Sequence, residues 1–306
     1  MTRLMRTRPT LGLVSAIVAL QVSCFIAPPA LAGNAASAPG RGSHTVVIVL
    51  ENREFDEVIG SPEAPYFNRL TKRGALATRF YGLLHPSMPN YLGLLAGSTF
   101  GITENCTACL ASGPNLATQL AGAGISWRAY MGAMPTPCYT GPDLGEYVKR
   151  HNPFMYFPSI TTRPRLCNRI VPESALPKDL SGDLLPEFAW ISPDLCDDGH
   201  DCPTSAADTY LRHRVPEILR RLGPGGVLAI TYDEGTSDAG CCGVAVGGRI
   251  ATLLIGPGAR ADIRLRSPFT LYSLLASIED RFGLPRLRHA RGVPSLAPAF
   301  KRRAPD

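Results

Sequence analysis

No strong charge of either sign marks this 306-residue sequence: 31 Lys and Arg stand against 25 Asp and Glu, a formal net charge of +6. The first 32 residues hold Arg3, Arg6 and Arg8 and no acid, so without them the charge is +3, too small to argue for a nucleic-acid partner. There is no internal repeat and no clear domain boundary, and with 45% apolar residues neither a fibre nor a disordered chain is expected. The apolar run from about Leu11 to Ile26 falls short of the ~20 residues a spanning helix needs and ends at Pro28 and Pro29, which excludes a stable membrane anchor. Adjacent arginines are missing, so a twin-arginine signal is not indicated, and Gln21 stands where a lipobox before Cys24 would carry Leu. Only Cys106-x-x-Cys109 has CxxC spacing, and a zinc site wants such units in pairs.

What is there begins with a basic start, that apolar run and Ala30-Leu31-Ala32, the pattern of a signal peptide cleaved after Ala32, which predicts a secreted protein, extracellular or periplasmic. Residues 33–43, small and polar, form a linker. Eight cysteines then remain, and an even count in a secreted chain reads as four disulfides, mostly local, whose connectivity the spacing does not give.

From His44 a β-branched run, HTVVIVL, predicts a strand covered on both faces. Further strands are expected at about 75–80, 125–130, 187–192, 226–232 and 250–255, and helices near 64–73, 88–97, 115–123, 205–222 and 269–282, several closed by glycine (Gly74, Gly124, Gly223, Gly283). This alternation predicts one domain over 44–288, a three-layer α/β/α sandwich around a largely parallel sheet. Residues 132–186, rich in Pro, Gly and Cys, are expected as an extended insertion, and 289–306 as a basic tail with little structure.

In such sheets the ligand crevice lies at the carboxyl ends of the strands, and four strand ends here deliver polar groups. Glu51 and Asn52 follow VVIVL; Asp233 and Glu234 follow GVLAITY; Asp194, Asp197, Asp198, His200 and Asp201 follow EFAWIS; the fourth is HPSMPNYLGLLAGST from His85. Carboxylates gathered in one crevice repel unless a cation sits among them. Oxygen-rich donors suit Ca2+, Mg2+ or Mn2+ better than Zn2+, although imidazole admits a transition metal. Taken singly, any of these acids could be a helix cap or a solvated loop. His200 among aspartates suits a phosphate contact or leaving-group protonation, or else a structural pair with Asp201. Ser87 stands at a helix N-terminus, where serine is ordinarily a cap. A phosphoryl-transfer nucleophile would also account for His85 and Asn90 beside it.

ENREFDEVIG, HPSMPNYLGLLAGST, SPDLCDDGHDC and ITYDEG, in this order, resemble the motifs of the bacterial phosphoesterase family of secreted acid phosphatases and phospholipases C, similar in fold to alkaline phosphatase. The likeness runs from about His44 to Leu287. It implies that Glu51, Asn52, Asp233 and Glu234 bind a divalent metal together with Ser87, the nucleophile. His200 is implied as catalytic, with His151, His85, Asn90 and Asp201 around the phosphate. Three positions depart from the family pattern: Glu234 is the longer acid, Leu271 stands where a histidine often does, and Gly132 replaces an acid after the strand at 125–130. Sulfatases of the same superfold carry an arginine two residues after the proline of the nucleophile motif, and Tyr91 stands there. His44, His213 and His289 match no motif. The expected activity is a phosphomonoesterase acting through phosphoserine, on soluble esters or lipid headgroups such as phosphoinositides. Alternatives are a phospholipase C with Phe154, Tyr156 and Phe157 as an apolar lip unless those rings are core, and a non-catalytic binding protein on the same scaffold.

Overall fold

The computed structural model describes Met1, Thr2 and residues 43–301, and every element below belongs to the compact unit Ala35–Asp306. Residues 3–32 of the expected signal peptide and residues 33–42 of the linker lie outside the described residues. A sheet of nine strands organises the rest: β1 (Thr45–Leu50), β2 (Gly74–Tyr81), β3 (Trp127–Met131), β4 (Ile170–Pro172), β5 (Phe188–Ser192), β6 (Val227–Tyr232), β7 (Arg249–Ile255), β8 (Ile263–Leu265) and β9 (Phe269–Thr270). Their order is β4-β3-β5-β1-β6-β7-β2-β8, with β9 also on β2. β7 pairs antiparallel with β6 and β2, whereas all other pairings are parallel. Every strand except β7 therefore points the same way. The ends of β1, β2, β3, β5 and β6 consequently open on one edge.

β1 is buried along all six residues, as its unbroken run of β-branched and leucine side chains requires, and each such side chain contributes about 1.5–3 kcal/mol. Helices cover the faces at Ser87–Ala96, Leu116–Gly122, Thr204–Leu219 and Leu271–Phe282, close to the predicted spans. Gly74 does not close a helix: it opens β2, where a Cβ would lie 2.5 Å from the Leu254 carbonyl oxygen.

Two expectations are corrected. Residues 289–300 are no loose tail: Ala290, Leu296 and Ala299 are buried, and Phe300 bridges to Ala259. Those small apolar residues lie among arginines and prolines without a period, which hides their packing in the sequence. The stretch 132–186 is likewise built in, with β4 on the sheet edge, and Phe154, Tyr156 and Phe157 are core rather than a lip.

The eight cysteines form four local bridges, Cys106–Cys109, Cys138–Cys167, Cys196–Cys202 and Cys241–Cys242.

Gly132, after β3, explains one departure from the family pattern. A Cβ there would stand 2.0 Å from the Asp194 nitrogen and 2.4 Å from the Pro193 carbonyl carbon, so the loop after β5 passes where a side chain would be. Gly132→Ala is expected to cost at least ~1–3 kcal/mol in denaturant unfolding. It should also lower turnover by displacing the 193–201 loop; an unchanged midpoint and unchanged turnover would contradict this account.

Candidate active site

β1 and β6, side by side at the centre of the sheet, end in Glu51 and Asp233. The turn after β2 brings Ser87 to the same place as the first residue of its helix. Ser87 does not cap that helix. Its hydroxyl donates to Glu51 Oε2 at 2.9 Å, with Glu234 Oε1 at 3.4 Å, and the Met88 amide is held instead by Asn105 Oδ1 at 3.0 Å. The serine is thus freed from backbone duty and aimed at carboxylates.

The loop after β5 and the turn Lys149–His151 close the other side. His151 is wedged between two acids: Nδ1 lies 3.1 Å from Asp198 Oδ2, and Nε2 lies 3.3 Å from Glu51 Oε1, the latter without a hydrogen bond forming. Tyr91 stacks on the ring at 5.3 Å between centroids. Asp198 also accepts from the His200 amide at 2.8 Å.

Asn52 reaches Asp233 Oδ1 through its backbone N–H at 3.2 Å, from the left-handed conformation (φ 53°) that asparagine tolerates. Asn90, His85 and Asp201 sit differently from expectation. Asn90 is turned away from any phosphate: its Oδ1 accepts from the Leu83 and Leu84 amides, and its Nδ2 donates to the Leu84 and Pro86 carbonyls. It holds the turn that carries Ser87. Both ring nitrogens of His85 are engaged, Nδ1 with Glu234 Oε2 at 2.6 Å and Nε2 with the Ser237 carbonyl at 3.1 Å, so His85 positions Glu234. Asp201, an exposed anion, meets His200 Nδ1 at 2.6 Å and orients that ring; it offers a phosphate no donor. Leu271 begins the last helix and is buried in the core.

Burial dominates the electrostatics. It pushes the Glu51 carboxyl well above its usual range, with Asp233 and Asp198 adding to the rise. Burial followed by Glu234 does the same to Asp233. Asp198 is raised to about 8 by burial, against the bond from the His200 amide, and Glu234 to about 7 by burial, against Ser87. Burial drives the His151 imidazole well below its usual value, with Arg150 and His200 contributing. Left alone, these acids would hold protons.

A cation would relieve them. Glu51 Oε1, Asp233 Oδ2 and His151 Nε2 are all buried without a hydrogen-bond partner, the condition of atoms awaiting a ligand. Donor atoms of Glu51, His151 and His200 lie within 4.8 Å of one another. The donor set fits a divalent metal of mixed oxygen and imidazole preference. It also draws the two histidines expected on the phosphate toward the metal side. Three contributors escape sequence reasoning altogether: Asn105, Arg150 and the structural role of Asp198, since each acts across 17 to 50 residues of chain.

A family model described as the Phosphoesterase family matches residues 61–285, leaving Glu51 and Asn52 just ahead of the matched stretch. The chain is 30% identical over 300 residues to a phosphatidylinositol-3-phosphatase of Mycobacterium tuberculosis, covering 97% of this chain and 94% of that protein. It is 31% identical over 256 residues to an acid phosphatase of Aspergillus niger, covering 79% of this chain and 59% of the fungal protein's length. Among solved structures, murine ectonucleotide pyrophosphatase/phosphodiesterase 5 superposes with a TM-score of 0.58 at 14% identity, over 85% of this chain and all of that one. A protein in the alkaline phosphatase superfamily from Vibrio parahaemolyticus gives 0.56 at 13% identity, over 82% and 70%. The chain therefore belongs to the Phosphoesterase family and is a phosphoric-ester hydrolase with an alkaline-phosphatase-like fold.

Proposed function

We propose that the protein is an exported, metal-dependent phosphomonoesterase working through a phosphoserine on Ser87. The observation that carries this reading is the Ser87 hydroxyl, 2.9 Å from Glu51 Oε2 and in a centre with three unpartnered buried donor atoms. Glu51, Asp233 and Glu234 would hold the cation, with His151 and His200 completing the set. When bound, a divalent metal neutralises phosphate charge and lowers the pKa of a coordinated hydroxyl. Ser87 Oγ attacks phosphorus, its proton directed to the Glu51 side; the Oγ–P bond forms as the bond to the ester oxygen breaks, and that oxygen takes a proton from solvent and departs as the alcohol. Water then attacks the phosphoserine, restoring the hydroxyl and releasing phosphate.

Monoesters are favoured over diesters because the aromatic residues that could have formed a lip for acyl chains are buried in the core. Phosphoinositide headgroups belong among the substrates to be tried, given the name of the mycobacterial relative that this chain spans almost fully. Four disulfides support export to an oxidising compartment.

The test sets a chromogenic phosphomonoester and phosphatidylinositol 3-phosphate beside phosphatidylcholine. Release of inorganic phosphate from the monoesters with little diacylglycerol from the diester is expected. Diester turnover alone would overturn the monoesterase reading, and no turnover on any substrate would return the protein to the binding-protein alternative.

A further inference from the structure

We propose that Arg150 grips the non-bridging oxygens of the scissile phosphate and thereby sets the preference for a dianionic monoester over a diester. This rests on the Ser87 phosphomonoesterase reading.

Arg150 lies between two pinned neighbours. Lys149 donates to the Thr107 carbonyl at 2.7 Å and lies over the Tyr156 ring, and His151 is clamped between Glu51 and Asp198. The backbone of the turn is also held by Asp143, whose Oδ1 accepts from the Lys149 amide at 2.8 Å. The guanidinium is thus delivered to one place, over His200.

Once there, it is poorly used. Nη2 donates to His200 Nε2 at a long 3.3 Å, Nη1 reaches Asp143 Oδ2 at 3.4 Å, and Nε is buried with no partner at all. A guanidinium has five N–H donors in a planar fork, and an arginine placed only for structure would have them filled. The side chain is 18% exposed and the His200 side chain 27%, whereas Glu51 and His151 beyond are buried, so the cation stands at the outer wall of the centre. Around it stand the acids Asp143 and Asp201 outside and Glu51 and Asp198 within, with Lys149 as the neighbouring cation.

A phosphoryl group at the Ser87 centre would offer this fork charge-assisted bonds in place of its long contact with His200 Nε2. A monoester dianion offers three non-bridging oxygens; a diester offers two and half the charge. Loss of the fork should weaken the first more than the second.

Arg150→Gln and Arg150→Lys, each with metal bound, would be assayed on 4-nitrophenyl phosphate and bis(4-nitrophenyl) phosphate, with inorganic phosphate as competitive inhibitor. In Arg150→Gln, kcat/KM on the monoester should fall roughly 10²-fold and on the diester by no more than about 3-fold, with the inhibition constant for phosphate rising about tenfold or more. Lysine keeps charge without the fork and should recover part of each. Equal losses on both substrates with unchanged phosphate inhibition would show a structural role and overturn the proposal, as would no loss on either. If the glutamine variant does not fold, the lysine variant decides by the same ratio; if the diester rate is undetectable, phosphate inhibition decides. Failure of the monoesterase reading itself would show earlier, as a wild-type enzyme that turns over only the diester.

Discussion

Replacing Ser87 by alanine is expected to abolish phosphate-ester turnover, lowering kcat by roughly 10⁴-fold or more, because it removes the hydroxyl proposed to form the covalent intermediate. The side chain is buried and donates to Glu51, so its loss strips a bond from a buried carboxyl, at ~1–3 kcal/mol. Secondary structure by circular dichroism should nevertheless match wild type, since the helix N-terminus is secured by Asn105 through the Met88 amide and not by Ser87. Wild-type protein quenched in acid during turnover should carry phosphate on the peptide containing Ser87, and the variant none. Residual turnover at the wild-type rate would remove Ser87 from the mechanism.

The second large effect is chelation, read both as activity and as stability. Removing the metal should take hydrolysis to background. The stability of the metal-free protein should also depend on pH in a direction opposite to that of most carboxylate-rich proteins. Asp198 and Glu234 have folded pKa values of about 8 and about 7, raised above those of the unfolded chain, and Glu51 and Asp233 move the same way. A raised carboxyl contributes stability that is fully present below the unfolded pKa, near pH 4, and lost as pH climbs through the folded value. Between pH 5 and pH 8 these groups should lose stability and the thermal midpoint should fall, with His151, held well below its usual value, opposing part of the loss below about pH 6.5. Bound metal replaces the protons and should flatten that slope. Parallel slopes with and without chelator would refute the carboxylate cluster as the cation site.

These effects show how unevenly the site can be read from the chain. Glu51 and Asp233 are legible because each directly follows an apolar run that can only be a buried strand, and parallel neighbours bring such ends together. Ser87 is legible because serine, proline and asparagine sit together before a helix. Asn90 shows the limit of the same reasoning: a conspicuous polar residue beside the nucleophile goes to backbone amides that no pattern reveals. Arg150 is hidden differently, as one basic residue among 31, made distinctive only when the fold lays it against His200. β7 reverses direction with no mark in its sequence, and it affects nothing at the site because the polar strand ends belong to its parallel neighbours.

The four disulfides divide the molecule into two kinds of matter. The sheet is held by burial, which any aqueous compartment supplies. Its working rim is held by sulfur: Cys196–Cys202 brackets His200, Cys138–Cys167 gathers the chain after β3, Cys241–Cys242 lies in the segment after β6, and Cys106–Cys109 follows directly on Asn105. Under reducing conditions the chain would have its scaffold without a settled edge, so that closing these bridges would be the last step in making the catalyst.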